Sequence, residues 1–292
     1  MSQLLSCLMT SKPSRWGCLQ RAILDFAAQD YRDRELVIVV GEVAYAGNIQ
    51  SFLAKNPIAA QGVSVYHRPA VRSAKDGYLY ALCQARGDYI TLWDDANLNL
   101  PTRLSSQMEQ QLKHPNAMTA LLRGMYVFYE TAELYVVDFE QPNAKPSERC
   151  CVSTTIVPRH LMPQIDHSFG RSPVAQLVDT ADRNNLRLVL LPGHDFSHIV
   201  GVVGDEMRKE HRKLATELEG VRNVAWLQEH AKELCAALDC YSWPGRPAVT
   251  GPDGVAFEYE PKRYWEELYP VKVHEPVGVE KIHEQLGTDQ KV

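Results

Sequence analysis

Two adjacent carboxylates, Asp94 and Asp95, follow the apolar run DYITLW at 88–93. Neighbouring negative charges at a strand end repel each other. Solvent, a helix N-terminus or a bound divalent cation must compensate them. A hard ion such as Mn2+ or Mg2+ would also neutralise a diphosphate and make it a better leaving group. The same pair could serve only to cap the turn ahead of a helix, and spacing alone does not choose between these readings. Other groups have plainer explanations. Arg208, Lys209, Arg212 and Lys213 alternate with Glu206 and Glu210, which reads as a solvated helix face with ion pairs. The aromatics Tyr241, Trp243, Tyr259, Tyr264, Trp265 and Tyr269 could stack on sugar faces, and packing is the simpler role. The glycine-rich patterns GxGxxG and GxxxxGK[ST] do not occur. Their absence argues against dinucleotide oxidoreductases and P-loop NTPases.

The elements that must position the acidic pair can be read along the chain. LLSCLM at 4–9 is a short apolar strand followed by the breaker-rich TSKPS. Ser14 can cap a helix whose inner face is Trp16, Leu19, Ala22, Ile23, Phe26 and Ala27. ELVIVV at 35–40 reads as a strand buried on both faces. A helix near 46–55, a strand VSVY at 63–66 and a helix through Ala74, Tyr78, Ala81, Leu82 and Ala85 come next. Gly87 ends that helix, and the strand before the acidic pair follows. This alternation predicts a parallel sheet with helical crossovers. Ligands of such sheets bind at the carboxyl ends of the strands, here the loop at 10–15 and the group at 94–97. Pro101 opens a helix to about Lys113. The runs within 117–139 (MTALL, MYVFYE, LYVVDF) read as antiparallel strands. CVSTTIV at 151–157 is a strand, 173–184 a helix and LRLVLLP a strand. Residues 205–239 look helical and strongly charged, and the tail from Tyr241 has no clear period.

Bulk properties bound the answer. The 292 residues suffice for one large α/β domain with an extension, and 45% hydrophobic with 23% charged residues is ordinary globular composition. The net charge of -5 arises wholly after residue 204: residues 1–204 hold 19 basic and 19 acidic residues, and residues 205–292 hold 12 and 17. No domain-wide basic surface exists to bind nucleic acid non-specifically. No apolar run approaches the ~20 residues of a membrane helix, and the amino terminus does not read as a signal peptide. A cytoplasmic location is therefore expected. The seven scattered cysteines, without a CxxC pair, are expected to be reduced structural thiols.

Several blocks together resemble family 2 glycosyltransferases. LLSCLMTSKPSRWGCLQRAILDFAAQDYRDRELVIVV is similar to that family's opening strand, threonine-bearing loop, helix with a Gln-aromatic end and second strand. ARGDYITLWDDANLNLPTRL resembles its strand leading into the acidic metal motif and the Leu-Pro-x-Arg-Leu helix. CVSTTIVPRHL resembles the small-residue strand on the acceptor side, and LRLVLLPGHDFSHIV the last strand and the segment after it. The match covers roughly residues 3–202. It implies a GT-A-like, Rossmann-type mixed sheet flanked by helices over 1–204, with a helical and irregular C-terminal extension over 205–292. The implied activity is transfer of a sugar from a nucleotide-diphospho-sugar to an acceptor hydroxyl, metal-dependent through Mn2+ or Mg2+, with inversion.

By that resemblance Thr10, Ser11 and Arg15 sit in the loop that meets the nucleotide. Asp94 faces the ribose or the metal, Asp95 ligates the metal, and His198, or as second choice His194, lies near the diphosphate. Lys75 and Arg72 fall where the family often carries a basic residue near the phosphates. The chain also departs from the pattern. Val40, Gly41 and Glu42 replace the aspartates after the second strand, so Glu42 would reach a base N–H. Ala96 stands where a further aspartate is common, leaving Asn97 as a neutral oxygen ligand. Pro173 and Val174 replace the Glu-Asp pair that supplies the catalytic base. A sugar hydroxyl needs such a base at neutral pH. Asp166 is the favoured substitute, ahead of His167 and Asp179. The acceptor could be a glycan, a lipid-linked sugar, a protein or a modified nucleobase, and an oligomer is compatible with the sequence. Two other classes stay in view: a nucleotide-sugar-binding scaffold without turnover, and a nucleotidyltransferase.

Overall fold

The computed structural model describes residues 3–69, 71, 73–95, 97–99, 101–128, 133–138, 150–164, 174, 178, 186–191, 198–202, 248–251 and 254–258. Its first half alternates strand and helix: β1 (Leu5–Thr10), α1 (Trp16–Ala28), β2 (Arg34–Val40), α2 (Val43–Lys55), β3 (Val63–His67), α3 (Ala74–Gln84) and β4 (Tyr89–Leu92). β1 lies centrally and pairs in parallel with β2 and β4, and β2 pairs in parallel with β3. The strands are apolar on both faces because helices cover both. Leu5, Cys7 and Met9 pack with Leu19, Ile23 and Phe26 of α1 and Ile49 and Phe52 of α2. Leu8 points the other way, toward Tyr78 and Ala81 of α3.

The second half adds β5 (Asn97–Asn99), α4 (Arg103–Lys113), β6 (Ala117–Leu121), β7 (Arg123–Phe128), β8 (Glu133–Asp138), β9 (Cys151–Pro158), β10 (Arg187–Leu191) and β11 (His198–Val202). The main sheet has seven strands in the order β10-β6-β9-β4-β1-β2-β3, with β9 antiparallel to its neighbours. A second sheet, β5-β11-β7-β8, stands after the acidic pair. This is the expected α/β architecture, a mixed sheet with flanking helices.

Some sequence expectations require correction. The run MTALL does not share a sheet with MYVFYE and LYVVDF. As β6 it is buried along its whole length inside the main sheet, parallel to β10 and antiparallel to β9. β7 and β8 are antiparallel, as expected. Ser14 does not cap α1. It sits within a 3-10 turn, Pro13–Arg15, and α1 begins at Trp16 without a side-chain cap. In the tail, β12 (Ala248–Gly251) and β13 (Gly254–Glu258) form an antiparallel hairpin that no periodicity announced. The helix expected over 205–239 lies outside the described residues. Among those described, the five cysteines are all free, and no helix is long and apolar enough to cross a membrane.

Candidate active site

α1 carries a buried polar row, Arg21, Asp25 and Gln29, at four-residue spacing. An amphipathic helix would turn such a row to water, but here it faces the chain that follows β4. Arg21 Nη2 donates to the Asp95 carbonyl at 2.9 Å and pairs with Asp25 at 3.6 Å. Gln29 donates to the Asn99 carbonyl and accepts from the Leu104 N–H, which ties down β5 and the start of α4. Arg103, fully buried, donates to Gln107, Asn99, Thr91 and the Ser153 carbonyl and lies over the Trp93 ring. Trp93 in turn donates to the Ala22 carbonyl. The backbone of the acidic turn is thus fixed from several sides.

The two carboxylates occupy different surroundings. Asp94 keeps 39% of its side chain exposed, whereas Asp95 has none. Asp95 Oδ2 accepts from Ser11 Oγ at 2.5 Å. Ser11 has one proton and spends it on the carboxylate, so the 3.0 Å contact between Ser11 and Tyr45 has the tyrosine as donor. Asp95 Oδ1 lies 2.7 Å from Arg15 Nη1 but makes no aligned hydrogen bond. The same nitrogen is 3.8 Å from Asp94 Oδ1. Burial pushes the Asp95 carboxyl up to about 7; Arg15 opposes this, the Asp94 charge adds to it, and Ser11 opposes it. Burial also drives the Tyr45 hydroxyl well above its usual range, so it stays a proton donor.

In front of this turn lies an open cleft of about 530 Å³. Its wall includes Thr10, Ser11, Lys12, Arg15, Glu42 and Tyr45, together with Gly41, Val71 and Ser73. It sits at the carboxyl ends of β1 and β2, the place where open parallel sheets bind ligands. Gly77 packs α3 against Thr10 and Val71 of the lining. A Cβ there would fall 2.4 Å from Thr10 Cγ2, so only glycine lets α3 lie this close to the end of β1. The cleft lining carries both signs of charge. Lys12 and Arg15 supply positive charge, and Glu42 is exposed and makes no capping hydrogen bond to α2.

The structure therefore brings Thr10, Ser11, Arg15 and Glu42 to one cleft and sets Asp95 behind its wall. Lys75 lies in the first turn of α3, one residue past Ala74, which lines the cleft. Position 198 opens β11 directly opposite Asn99 in β5, four residues from Asp95, and Asn97 is buried in the same short strand. Asp166, His167, Asp179, His194 and Arg72 lie outside the described residues. Sequence reasoning missed Tyr45, Lys12 and Arg21. Tyr45 carried the available signal, since it falls one turn into the helix that Glu42 starts.

Two carboxylates at one point match a hard divalent cation in charge and donor type. Among the described residues no third His, Cys, Asp or Glu joins them, and the cation now facing both is Arg15.

The fold is like that of GT-A glycosyltransferases. S. aureus TarS 1-349 superposes with a TM-score of 0.50 at 14% identity, over 81% of this chain and 71% of that one. The same protein in complex with UDP gives the same values. This chain spans 43% of the longer S. aureus TarS chain. A mannosyltransferase from Pyrobaculum calidifontis, in complex with GDP-Man and Mn2+, has a TM-score of 0.47 at 12% identity over 80% of this chain and 62% of that one. No model of a known protein family matches the sequence, and no characterised protein does at the sequence level.

Proposed function

We propose that the chain is a metal-dependent glycosyltransferase that binds a nucleotide-diphospho-sugar in the cleft at the ends of β1 and β2. The observation that carries this reading is the junction of that cleft with the Asp94–Asp95 turn through Ser11 and Arg15. A donor has an uncharged base and an anionic diphosphate, and the cleft has an exposed carboxylate at Glu42 and cations at Lys12 and Arg15. Glu42 would accept from a base N–H, and Lys12, Arg15 and Lys75 would meet the phosphates. The fold likeness to S. aureus TarS 1-349, solved in complex with UDP, supports a nucleoside diphosphate as the kind of ligand.

Asp94 and Asp95, with His198, would hold a Mn2+ or Mg2+ ion, whose chemistry is to neutralise the departing diphosphate. In the reaction the bond from the anomeric carbon to the diphosphate oxygen breaks, and a bond to the acceptor oxygen forms with inversion. The acceptor proton passes to a base, for which Asp166 is the proposed residue. Residues 1–204 would form the catalytic domain and 205–292 an acceptor-shaping region. The acceptor is a hydroxyl-bearing glycan, lipid-linked sugar, protein or modified base.

A thermal-shift screen against UDP-, GDP-, CDP- and dTDP-sugars, with and without Mn2+, tests this reading. Ligand at 100 times its dissociation constant adds about 2.7 kcal/mol. A shift with one nucleotide class supports the donor cleft. No shift with any donor, in folded protein, removes the reading. A shift without any sugar release or transfer would favour the scaffold instead.

A further inference from the structure

Arg15 faces both carboxylates that would hold a divalent ion. One of its guanidinium nitrogens lies 2.7 Å from Asp95 and 3.8 Å from Asp94. A guanidinium and a dication cannot share two carboxylates at that range, because their mutual repulsion opposes the attraction each gains. Asp95 cannot move to resolve the conflict. It is fully buried, Ser11 holds its Oδ2, and Arg21 holds its carbonyl. Arg15 can move. Its side chain is 25% exposed and lines the cleft. The cleft is also where a planar guanidinium fork finds its best anionic partner, a diphosphate.

We infer that Arg15 and the metal ion exchange places: the donor's diphosphate draws Arg15 off the Asp94–Asp95 pair into the cleft, and the pair then accepts the divalent ion. This rests on the donor-cleft reading above. Arg15 in the empty protein keeps a buried carboxylate compensated and the metal out. With donor bound, the same residue becomes a phosphate ligand, and Ser11 with Tyr45 behind it keeps Asp95 aimed as the arginine leaves. Metal and donor uptake are therefore coupled, each strengthening the other by the same factor. The specific consequence is that the arginine competes with the metal when no nucleotide is present.

The test measures Mn2+ binding by electron paramagnetic resonance, with the probes UDP and GDP each absent or saturating. Wild-type protein is expected to bind Mn2+ weakly alone and about 5- to 150-fold more tightly with the nucleotide it accepts, the usual range of coupling between sites. Direct ligation by the diphosphate contributes to that rise, so the decisive arm is nucleotide-free. There Arg15→Gln is expected to bind Mn2+ about tenfold more tightly than wild type, and its coupling to nucleotide to shrink by the same factor. Arg15→Lys keeps a positive charge beside Asp95, but on a shorter, more strongly hydrated and more mobile ammonium. It is expected to fall between the two, and it carries the test if Arg15→Gln does not fold. Arg15 variants that bind Mn2+ no more tightly than wild type without nucleotide overturn the exchange. So does wild-type protein that binds Mn2+ equally well with and without nucleotide. Failure of every nucleoside diphosphate to bind, with or without Mn2+, is a different result and removes the donor reading beneath it.

Discussion

Glu35 enters the main sheet near the start of β2, and Asp95 lies just past the end of β4. The strands run parallel, so these two buried carboxylates sit at opposite ends of one sheet. Glu35 accepts from Ser6 Oγ at 2.7 Å, from the Arg86 backbone N–H at 2.6 Å and from Arg86 Nε at 2.9 Å, with Arg86 Nη2 at 2.8 Å. Ser6 Oγ also accepts from the Gly87 N–H, so strands β1 and β2 and the turn into β4 are joined. Burial pushes the Glu35 carboxyl up, and these donors outweigh it and hold it below its ordinary value. Asp95 has one aligned side-chain donor, Ser11, and one exchangeable cation, and its carboxyl is raised. A carboxylate satisfied on all sides fastens a fold. One left under-satisfied beside a cleft has capacity for a further ligand.

The comparison can be broken by exchanging which property each loss affects. The largest effect is expected for Asp95→Asn. Sugar transfer should fall on the order of 100- to 1,000-fold, the usual cost of deleting one group that organises charge in a transition state. Near pH 7 its melting temperature should not fall below that of wild type, as a scanning calorimeter would read. Glu35→Gln should do the reverse. Fewer acceptor lone pairs are left for the buried donors, at a cost of about 1–3 kcal/mol in urea unfolding, with activity per folded molecule retained.

The pH dependence sharpens the contrast. Glu35 has a depressed folded pKa, so its stabilisation is present above its ordinary value of 4.5 and is lost as pH falls below it. Asp95 has a raised one, so its contribution is present below 3.8 and lost as pH rises through about 7. In chelator, melting curves should show that Asp95→Asn gains on wild type between pH 4 and 8, while Glu35→Gln loses ground only as pH rises toward 4.5 and runs parallel to wild type above it. Parallel curves for the two variants would refute the distinction. The smallest effect is expected for Tyr45→Phe, which removes the donor to Ser11. A loss of about 0.5–1.5 kcal/mol in nucleotide affinity by calorimetry, with the fold intact, would mark Tyr45 as part of the cleft's support.

Much of this was legible in the sequence, because the first four strands and three helices follow simple periodicities and the acidic pair follows an apolar run. Thr10, Ser11, Arg15 and Glu42 fell at one cleft because strand ends of a parallel sheet converge there. The rest depended on contacts far apart in sequence. Arg21, Asp25 and Gln29 fall outside the apolar periodicity of α1 and are buried because β5 and α4 fold over them. The run MTALL carries no mark of which sheet it joins, and only its burial on both faces puts it in the main one. The pairing of Arg15 with Asp95 links residues eighty positions apart, which no local pattern reports.

The most direct measurement is a crystal structure of the protein with a nucleoside diphosphate and Mn2+, using anomalous scattering to locate the metal. The account predicts the diphosphate against Lys12 and Arg15 in the cleft, the base toward Glu42, and an anomalous peak at Asp94 and Asp95 with Arg15 withdrawn from them. A nucleotide bound elsewhere, or a filled cleft with no metal at the acidic pair, would contradict it.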